Sequence, residues 1–502
     1  MSDRLIMKNT VILYFRMIFQ MAVYLYTSRV VIKALGLIDY GIYDVVGSVV
    51  MAMMFLNNSM LNCTQRFITY SLAEGDEAEV NTYFSHSLMI HVLIGLLIVV
   101  VGGVLGTYYI QGVMNIPAGR VSDAMFVFYV ALASSFVTMV SVPYNALIIA
   151  HEHMGAFASI TIVDVVLKLL VAMSLSLFDD NRLRMYAFLL FVAALVVRSI
   201  YGIYCRMAYR KVRFVMVPDK GIFKNMFGFF GWNTIGNAAI MCNTQGLNLL
   251  LNAVGGPLVN AARGVAFQVQ TATVSFINSF QTAINPQITK NYAVGNRERM
   301  NSLILTSSRV SFLLMLFLIV PLLFMTESLL DIWLTDYEKD YTALFVRLLI
   351  CVSVVEAVAN PLMVGASATG NIKRYQLMVG GCMLCTVPVA YIALKMGAKP
   401  DAVFWALIVT TLLAQCVRMW LCRKLFGFSI PDFCLQVMWP IAKVATACFV
   451  PLLMLQRYYT GAVGVDALLV CIALDVWVAV CVFALGVNKV ERNFILKKIR
   501  MR

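Results

Sequence analysis

A helix crosses the hydrocarbon core of a bilayer in about 20 apolar residues, and this chain offers about fourteen such runs in succession. They fall near 10–34, 41–62, 84–108, 122–148, 157–178, 185–207, 226–250, 257–283, 303–325, 342–366, 375–396, 401–422, 436–456 and 464–487. The runs at 41–62, 226–250 and 257–283 are the most polar, with many Asn, Gln, Ser and Thr. In lipid each backbone N–H and C=O must be satisfied within its own segment, so such runs fold as helices. Composition excludes a soluble alternative. Of 502 residues, 61% are hydrophobic and 13% charged, and the mean hydropathy is +0.84, whereas a soluble domain carries about 25% charged residues. The expected architecture is an all-α polytopic membrane protein of about fourteen transmembrane helices. The start, MSDRLIMKNT, leads into a long apolar run without a small-residue cleavage site, so the first helix is expected to be retained as a span.

The net charge of +14 does not mark a nucleic-acid binder, because Lys and Arg sit between apolar runs rather than on one stripe or tail. Alternate connections are basic. One holds Arg206, Arg210, Lys211, Arg213, Lys220 and Lys224, another Lys290, Arg297 and Arg299, another Lys373 and Arg374, and another Arg418, Arg423 and Lys424. The tail adds Lys489, Arg492, Lys497, Lys498, Arg500 and Arg502. The opposite set is poor in Lys and Arg, and TESLLDIWLTDYEKDY is acidic. The positive-inside rule then places both termini in the cytoplasm, as an even number of spans also requires. A multi-pass protein of the bacterial inner membrane is expected, and no connection is long enough to fold as a domain of its own.

Twelve cysteines are scattered, most of them inside apolar runs. Cys382 and Cys385 form a CxxC in mid-helix without a partner pair, which reads as small buried hydrophobes rather than a zinc or redox motif. No metal site and no cofactor is expected.

The chain repeats weakly at an offset of about 220 residues. RFITYSLAEGDEAEVN (66–81) aligns with QITKNYAVGNRERMN (287–301), and PYNALIIAHEHM (143–154) with PLMVGASATGNI (361–372). ALGLIDYGIYDVV (34–46) aligns loosely with AVGGPLVNAARGVA (253–266). This divides the chain into a six-helix lobe over 1–215, a second over 216–428, and two additional helices with a basic tail over 429–502. Six spans are an even number, so the lobes enter from the same side as a parallel repeat, an arrangement of transporters that rock about a central site.

Ionisable and amide groups inside spans are costly in lipid and face a cavity or a partner. In the first span Arg16, Gln20, Tyr24 and Thr27 lie on one face. In the seventh, Asn233, Asn237, Thr244, Asn248 and Asn252 do so. In the eighth, Gly264, Gln268, Thr271, Ser275, Asn278, Thr282 and Asn285 follow a 3–4 spacing, flanked by Arg263. Hydrogen bonds between helices are one account of such amides; full-length stripes favour a wet cavity. Arg16 and Arg263 would make that cavity cationic and suited to phosphate, which guanidinium binds through a two-pronged fork. Arg29 lies near the outer end, where it either joins them or snorkels. Asp164 and Lys168, four residues apart, read as a self-neutralising structural pair. Arg198 and Arg309 near cytoplasmic ends read as snorkelling, and Asp44 as a structural cap. Glu356, with Arg347 nine residues before it, and Asp475 are the candidates for H⁺ or Na⁺ coupling.

FGFFGWNTIGN (227–237), NLLLNAVGGPLVNAARGVAFQV (248–269), AINPQITKNYAVGN (283–296) and VPYNALIIAHEHMGAF (142–157) resemble the polysaccharide-transport branch of the multidrug/oligosaccharidyl-lipid/polysaccharide exporter (MOP) superfamily. That branch includes O-antigen and capsular repeat-unit flippases. The resemblance covers most of residues 5–430. It implies two six-helix lobes around a central cavity, alternating access, and an undecaprenyl-pyrophosphate-linked oligosaccharide as cargo. It implies membrane lipids and other polysaccharide-assembly proteins as partners, and no nucleic acid. Arg16 and Arg263 occupy places similar to the arginines with which a cousin, the lipid II flippase, holds pyrophosphate. Drug-exporting members of the superfamily tend to carry an acidic residue in the first helix. This chain has Arg16 there and no Asp or Glu between residues 9 and 36, which disfavours the alternative of a cation-coupled multidrug antiporter. An enzyme such as a polymerase or ligase would need a large outer loop that the span spacing does not provide, and a pure scaffold leaves the polar stripes unexplained.

Overall fold

The structure, a computed structural model, describes residues 3–53, 55–112, 118–178, 181–215, 220–334, 339–455, 465–487 and 492. The basic tail other than Arg492, residues 335–338 of the acidic connection, and the side chains of Asp44 and Asn252 lie outside the described residues. Among the described residues every regular element is helical. Eleven stretches are long and apolar enough to cross a membrane, from Met7–Gly36 to Asp466–Gly486. The three expected spans missing from that set are 41–62, 226–250 and 257–283, and all three lie on helices. Runs 226–250 and 257–283 lie within α7, whereas 41–62 falls across the end of one helix and the start of the next.

The chain divides into two compact units, Met1–Asn237 with Thr289–Gly295, and Ala238–Ile288 with Asn296–Arg502. In the first, helix α1 (Asp3–Met53) is interrupted at Gly36, whose φ of 77° and ψ of 166° suit only a residue without Cβ, so the chain re-aims there into a second helical arm. Helices α2 (Phe55–Glu74), α3 (Glu77–Gly112), α4 (Val121–Ala150), α5 (Met154–Ser174) and α6 (Arg182–Ala208) follow. Ile42, Val46 and Val50 of the second arm of α1 share a core with Phe128 and Leu132 of α4 and Leu183 of α6. Charge fixes the same three elements at their ends. Arg120 pairs with Asp39 and, at 2.8 Å, with Asp123, and Arg184 Nε donates to Asp123 Oδ1 at 2.6 Å.

Helix α7 runs over Lys220–Ala293. A straight helix of 74 residues would be about 111 Å long, several times the hydrocarbon core. It is not straight. Arg263 Nη2 donates to the carbonyl of Thr244 at 2.9 Å, whereas nineteen residues of straight helix separate two groups by about 28 Å. The chain therefore reverses between these residues, and α7 is two antiparallel arms. Leu247 and Leu251 of the first arm and Val259, Ala262 and Ala266 of the second lie in one core cluster.

The second unit adds α8 (Arg297–Phe324), α9 (Thr326–Trp333), α10 (Lys339–Ala368), α11 (Lys373–Leu384), α12 (Thr386–Lys395), α13 (Ala402–Phe426), α14 (Ile430–Phe433), α15 (Trp439–Leu455) and α16 (Val465–Cys481). Phe345, Leu349, Phe404 and Met315 lie at its centre. Helix α10 comes close to α8 and α13 through Gly365, where an added Cβ would lie 2.7 Å from Ile304 and 3.2 Å from Phe426.

Candidate functional site

Arg16 is half-buried in the first unit. Its guanidinium carbon stands 4.7 Å from the Phe157 ring centroid of α5, a cation–π contact. Tyr201 of α6 lies within its electrostatic reach and within that of Asp164. Asp164 and Lys168 form an ion pair at 2.8 Å. The structure thus brings Arg16 and the Asp164–Lys168 pair to one neighbourhood through Tyr201, a connection invisible in sequence because α1, α5 and α6 meet only in the fold. Arg16 Nε is buried with no hydrogen-bond partner among the described residues. A half-buried guanidinium with an unused donor has the chemistry to hold an anion.

On the first arm of α7, Asn233 is buried and donates to the Phe229 carbonyl at 3.3 Å, and Asn237 donates to Ser59 Oγ at 2.6 Å. Asn237 thus ties α7 to α2, as the interhelical account requires, and Asn233 is taken up by its own helix. Gln20 is half-buried and Arg29 exposed, both on α1.

The second arm of α7 is different. Gly264, Gln268, Thr271 and Asn278 are exposed, while Ala262, Ala266, Thr273 and Ile277 on the opposite side are buried. Its hydroxyls turn inward to their own helix: Thr271 donates to Phe267, Ser275 to Thr271 and Thr282 to Asn278, each to the carbonyl four residues back. Among the described residues, the exposed Gln268, Thr271 and Asn278 make no side-chain hydrogen bond to a neighbouring helix. On a helix at membrane depth such a face is satisfied by water or by a polar partner rather than by lipid. Arg263 belongs to the same arm; Thr244 anchors it and the Phe267 ring centroid lies 5.5 Å away. Asn248, on the first arm, is half-buried.

Glu356 is exposed on α10, and its charged neighbour differs from the one sequence spacing suggests. Arg347 turns away to Glu327 and Thr326, each at 3.2 Å. The charge within reach of Glu356 is Arg418 of α13. Arg418 is a correction in its own right. Counted by sequence among loop charges, it is buried inside α13 and donates to Tyr375 Oη and Gln415 Oε1, each at 2.7 Å. Arg309 is likewise buried, at 4% exposure, rather than reaching for the membrane surface. Asp475 is half-buried on α16, and its Oδ1 has no partner among the described residues.

Sequence reasoning passed over Arg66. Its guanidinium lies 4.6 Å from the Phe67 ring, 5.2 Å from Phe229 and 5.5 Å from Tyr70, an aromatic nest in the first unit. The aromatics at the next and fourth positions after Arg66 were the available signal. No group of His, Cys, Asp and Glu among the described residues is placed to hold a metal ion.

The fold is shared with solved transporters. A mutant MATE and a MATE in the bent conformation each have a TM-score of 0.72 and 16% identity, covering 83% and 84% of this chain and 95% of theirs. A MOP superfamily transporter from Pyrococcus furiosus has a TM-score of 0.68 and 15% identity over 83% of this chain and 95% of its own. No curated protein matches the chain. The MatE family model matches residues 235–392. The model of the family described as polysaccharide biosynthesis protein matches residues 6–292, more than half of the sequence. The chain therefore belongs to the polysaccharide biosynthesis protein family, within the MOP superfamily of multi-pass membrane transporters.

Proposed function

We propose that the protein is a flippase of the bacterial inner membrane. It moves an undecaprenyl-pyrophosphate-linked oligosaccharide, such as an O-antigen or capsular repeat unit, from the cytoplasmic to the periplasmic leaflet by alternating access. The observation that carries this reading is the exposed amide and hydroxyl face on the second arm of α7, with Arg263 on the same arm. Sugar hydroxyls are donors and acceptors and suit Gln268, Thr271 and Asn278. Phosphate oxygens suit Arg263, and the unused donor of Arg16 suits an anion of the same kind. The polyprenyl tail stays in lipid, so only the headgroup needs the wet face, and no bond is made or broken. The two six-helix lobes, 1–215 and 216–428, are the rocking bodies of this reading. Glu356 beside Arg418, or Asp475, would couple transport to H⁺ or Na⁺.

The MatE match over 235–392 favours a second reading, export of cationic drugs. One solved neighbour is described as a multidrug resistance MATE family transporter, and the Pyrococcus furiosus one by a reversed pocket polarity that suggests a different function. The two basic residues and the absence of Asp and Glu between residues 9 and 36 set this chain against cationic cargo. The test is a pair of strains, Arg16→Ala and Arg263→Ala, assayed for surface polysaccharide and for lipid-linked units facing the cytoplasm. The flippase reading expects loss of the first and accumulation of the second. Normal export from both, at normal protein levels, overturns the arginine assignment, and drug sensitivity on deletion with intact polysaccharide supports the second reading.

A further inference from the structure

Helices α8, α10 and α15 of the second unit border an open groove of about 330 Å³, lined by Leu323, Phe324, Leu348, Phe449 and Leu452, with Arg347. Two prolines stand beside it. Pro321 in α8 and Pro451 in α15 stand within three residues of the lining. Each lacks the N–H of an intrahelical bond, and a proline ring inside a helix crowds the carbonyl four residues back. The groove depends on α15, part of the chain beyond the two six-helix lobes.

The polar end of the groove is charged in both senses. Arg347 Nη2 lies 3.2 Å from Glu327 Oε1, and the two side chains are 35% and 69% exposed, so neither is sealed by the other. Asp331 and Asp340 lie on the adjoining segments, and Lys339 pairs with Asp331 at 3.3 Å. Arg347 stands eight residues, about 12 Å, along α10 from Lys339. A 30-residue helix spans about 45 Å against a hydrocarbon core of about 30 Å, so this end lies within side-chain reach of the headgroup layer.

We propose that this groove holds one membrane phospholipid with an amine-bearing zwitterionic headgroup of the phosphatidylethanolamine class, its phosphate on Arg347, its ammonium on Glu327 and an acyl chain along the apolar wall. The chemistry selects this class. The Arg347 fork takes phosphate oxygens, and the Glu327 carboxylate takes ammonium N–H donors. Phosphatidylglycerol brings no cation for Glu327. Phosphatidylcholine has the cation but no N–H to donate. The site is separate from the α7 face and does not depend on which cargo the protein moves.

The test is native mass spectrometry of the full-length protein from mixed micelles holding equal amounts of phosphatidylethanolamine, phosphatidylglycerol and phosphatidylcholine. Wild type is expected to retain one phosphatidylethanolamine about tenfold over either competitor. Glu327→Gln is expected to erase the preference over phosphatidylglycerol, and Leu348→Trp, which fills the groove, to bring retention of all three to background. Equal retention by wild type overturns the proposal without recourse to any variant. Persistence of the preference in Glu327→Gln, or of the bound lipid in Leu348→Trp, overturns it too. Added polyprenyl phosphate that displaces phosphatidylethanolamine as the retained species would show a groove for the cargo tail and overturn it likewise.

Discussion

Buried charge outside the spans makes the sharpest predictions at the scale of single residues. Glu152 sits in the turn between α4 and α5 with a φ of 61° and is buried, with Lys290 Nζ 2.6 Å from its carboxylate. Lys290→Met removes that cation from a desolvated carboxylate and should cost about 3 kcal/mol, seen as a lower thermal midpoint, while Lys290→Arg should lose much less. His151 beside it stacks on Tyr209 at 4.1 Å and donates from Nδ1 to the Leu147 carbonyl at 2.9 Å. Burial lowers its pKa below the ordinary 6.5, with His153 and Lys290 adding to the effect against the Leu147 bond. The unfolded chain then binds the proton more readily, so the neutral ring's contribution is present above pH 6.5 and is lost as pH falls below it. Thermal midpoints measured between about pH 7.5 and 5, a window that brackets the ordinary histidine value, should fall for wild type and fall less for His151→Phe, which keeps the stack without the titration. An equal slope in both would remove His151 from the account. Residues of this kind were hard to read in sequence, because Glu152, Lys290 and Tyr209 belong to three separate connections. Arg16 and Arg263, by contrast, stood out as arginines within or beside polar stripes, although only coordinates show the unused Nε of the first and the Thr244 anchor of the second.

Helical elements were legible wherever apolar runs were long, and less so where polar stripes interrupted them. Hydropathy alone loses 41–62, 226–250 and 257–283, yet their described residues are helical, because intrahelical bonding does not depend on which side chains face outward. The reversal inside α7 was implied by two apolar runs separated near Gly255, Gly256 and Pro257, and its proof is the Arg263–Thr244 bond. A cysteine pair, Thr244→Cys with Arg263→Cys in a background without other cysteines, should cross-link through a short bismaleimide within one chain. Failure of that cross-link in folded protein would contradict the hairpin. Close approach of α10 to α8 and α13 makes Gly365 sensitive: Gly365→Val places carbon where Ile304 and Phe426 already lie, and overpacking of that kind costs about 1–3 kcal/mol, read as a lower thermal midpoint. Chain spacing set Arg347 beside Glu356, but Arg347 bonds Glu327, and the charge whose field acts on Glu356 is Arg418 of α13.

For the whole molecule, membrane residence and an all-helical fold followed from composition and run length, since lipid permits few alternatives. Cargo is a matter of which groups face water, and that depends on tertiary packing. The central claim is that a cationic, amide-bearing face moves a pyrophosphate-linked sugar across the bilayer. The measurement that tests it most directly uses purified protein in liposomes, with a fluorescent polyprenyl-pyrophosphate oligosaccharide in both leaflets and a membrane-impermeant quencher outside. Wild type should render the inner-leaflet fraction quenchable, and Arg16→Ala and Arg263→Ala should each slow this by about tenfold or more, the loss of at least one charge-assisted phosphate contact. Liposomes in which wild type leaves the inner fraction protected, or in which both variants match wild type, would contradict it.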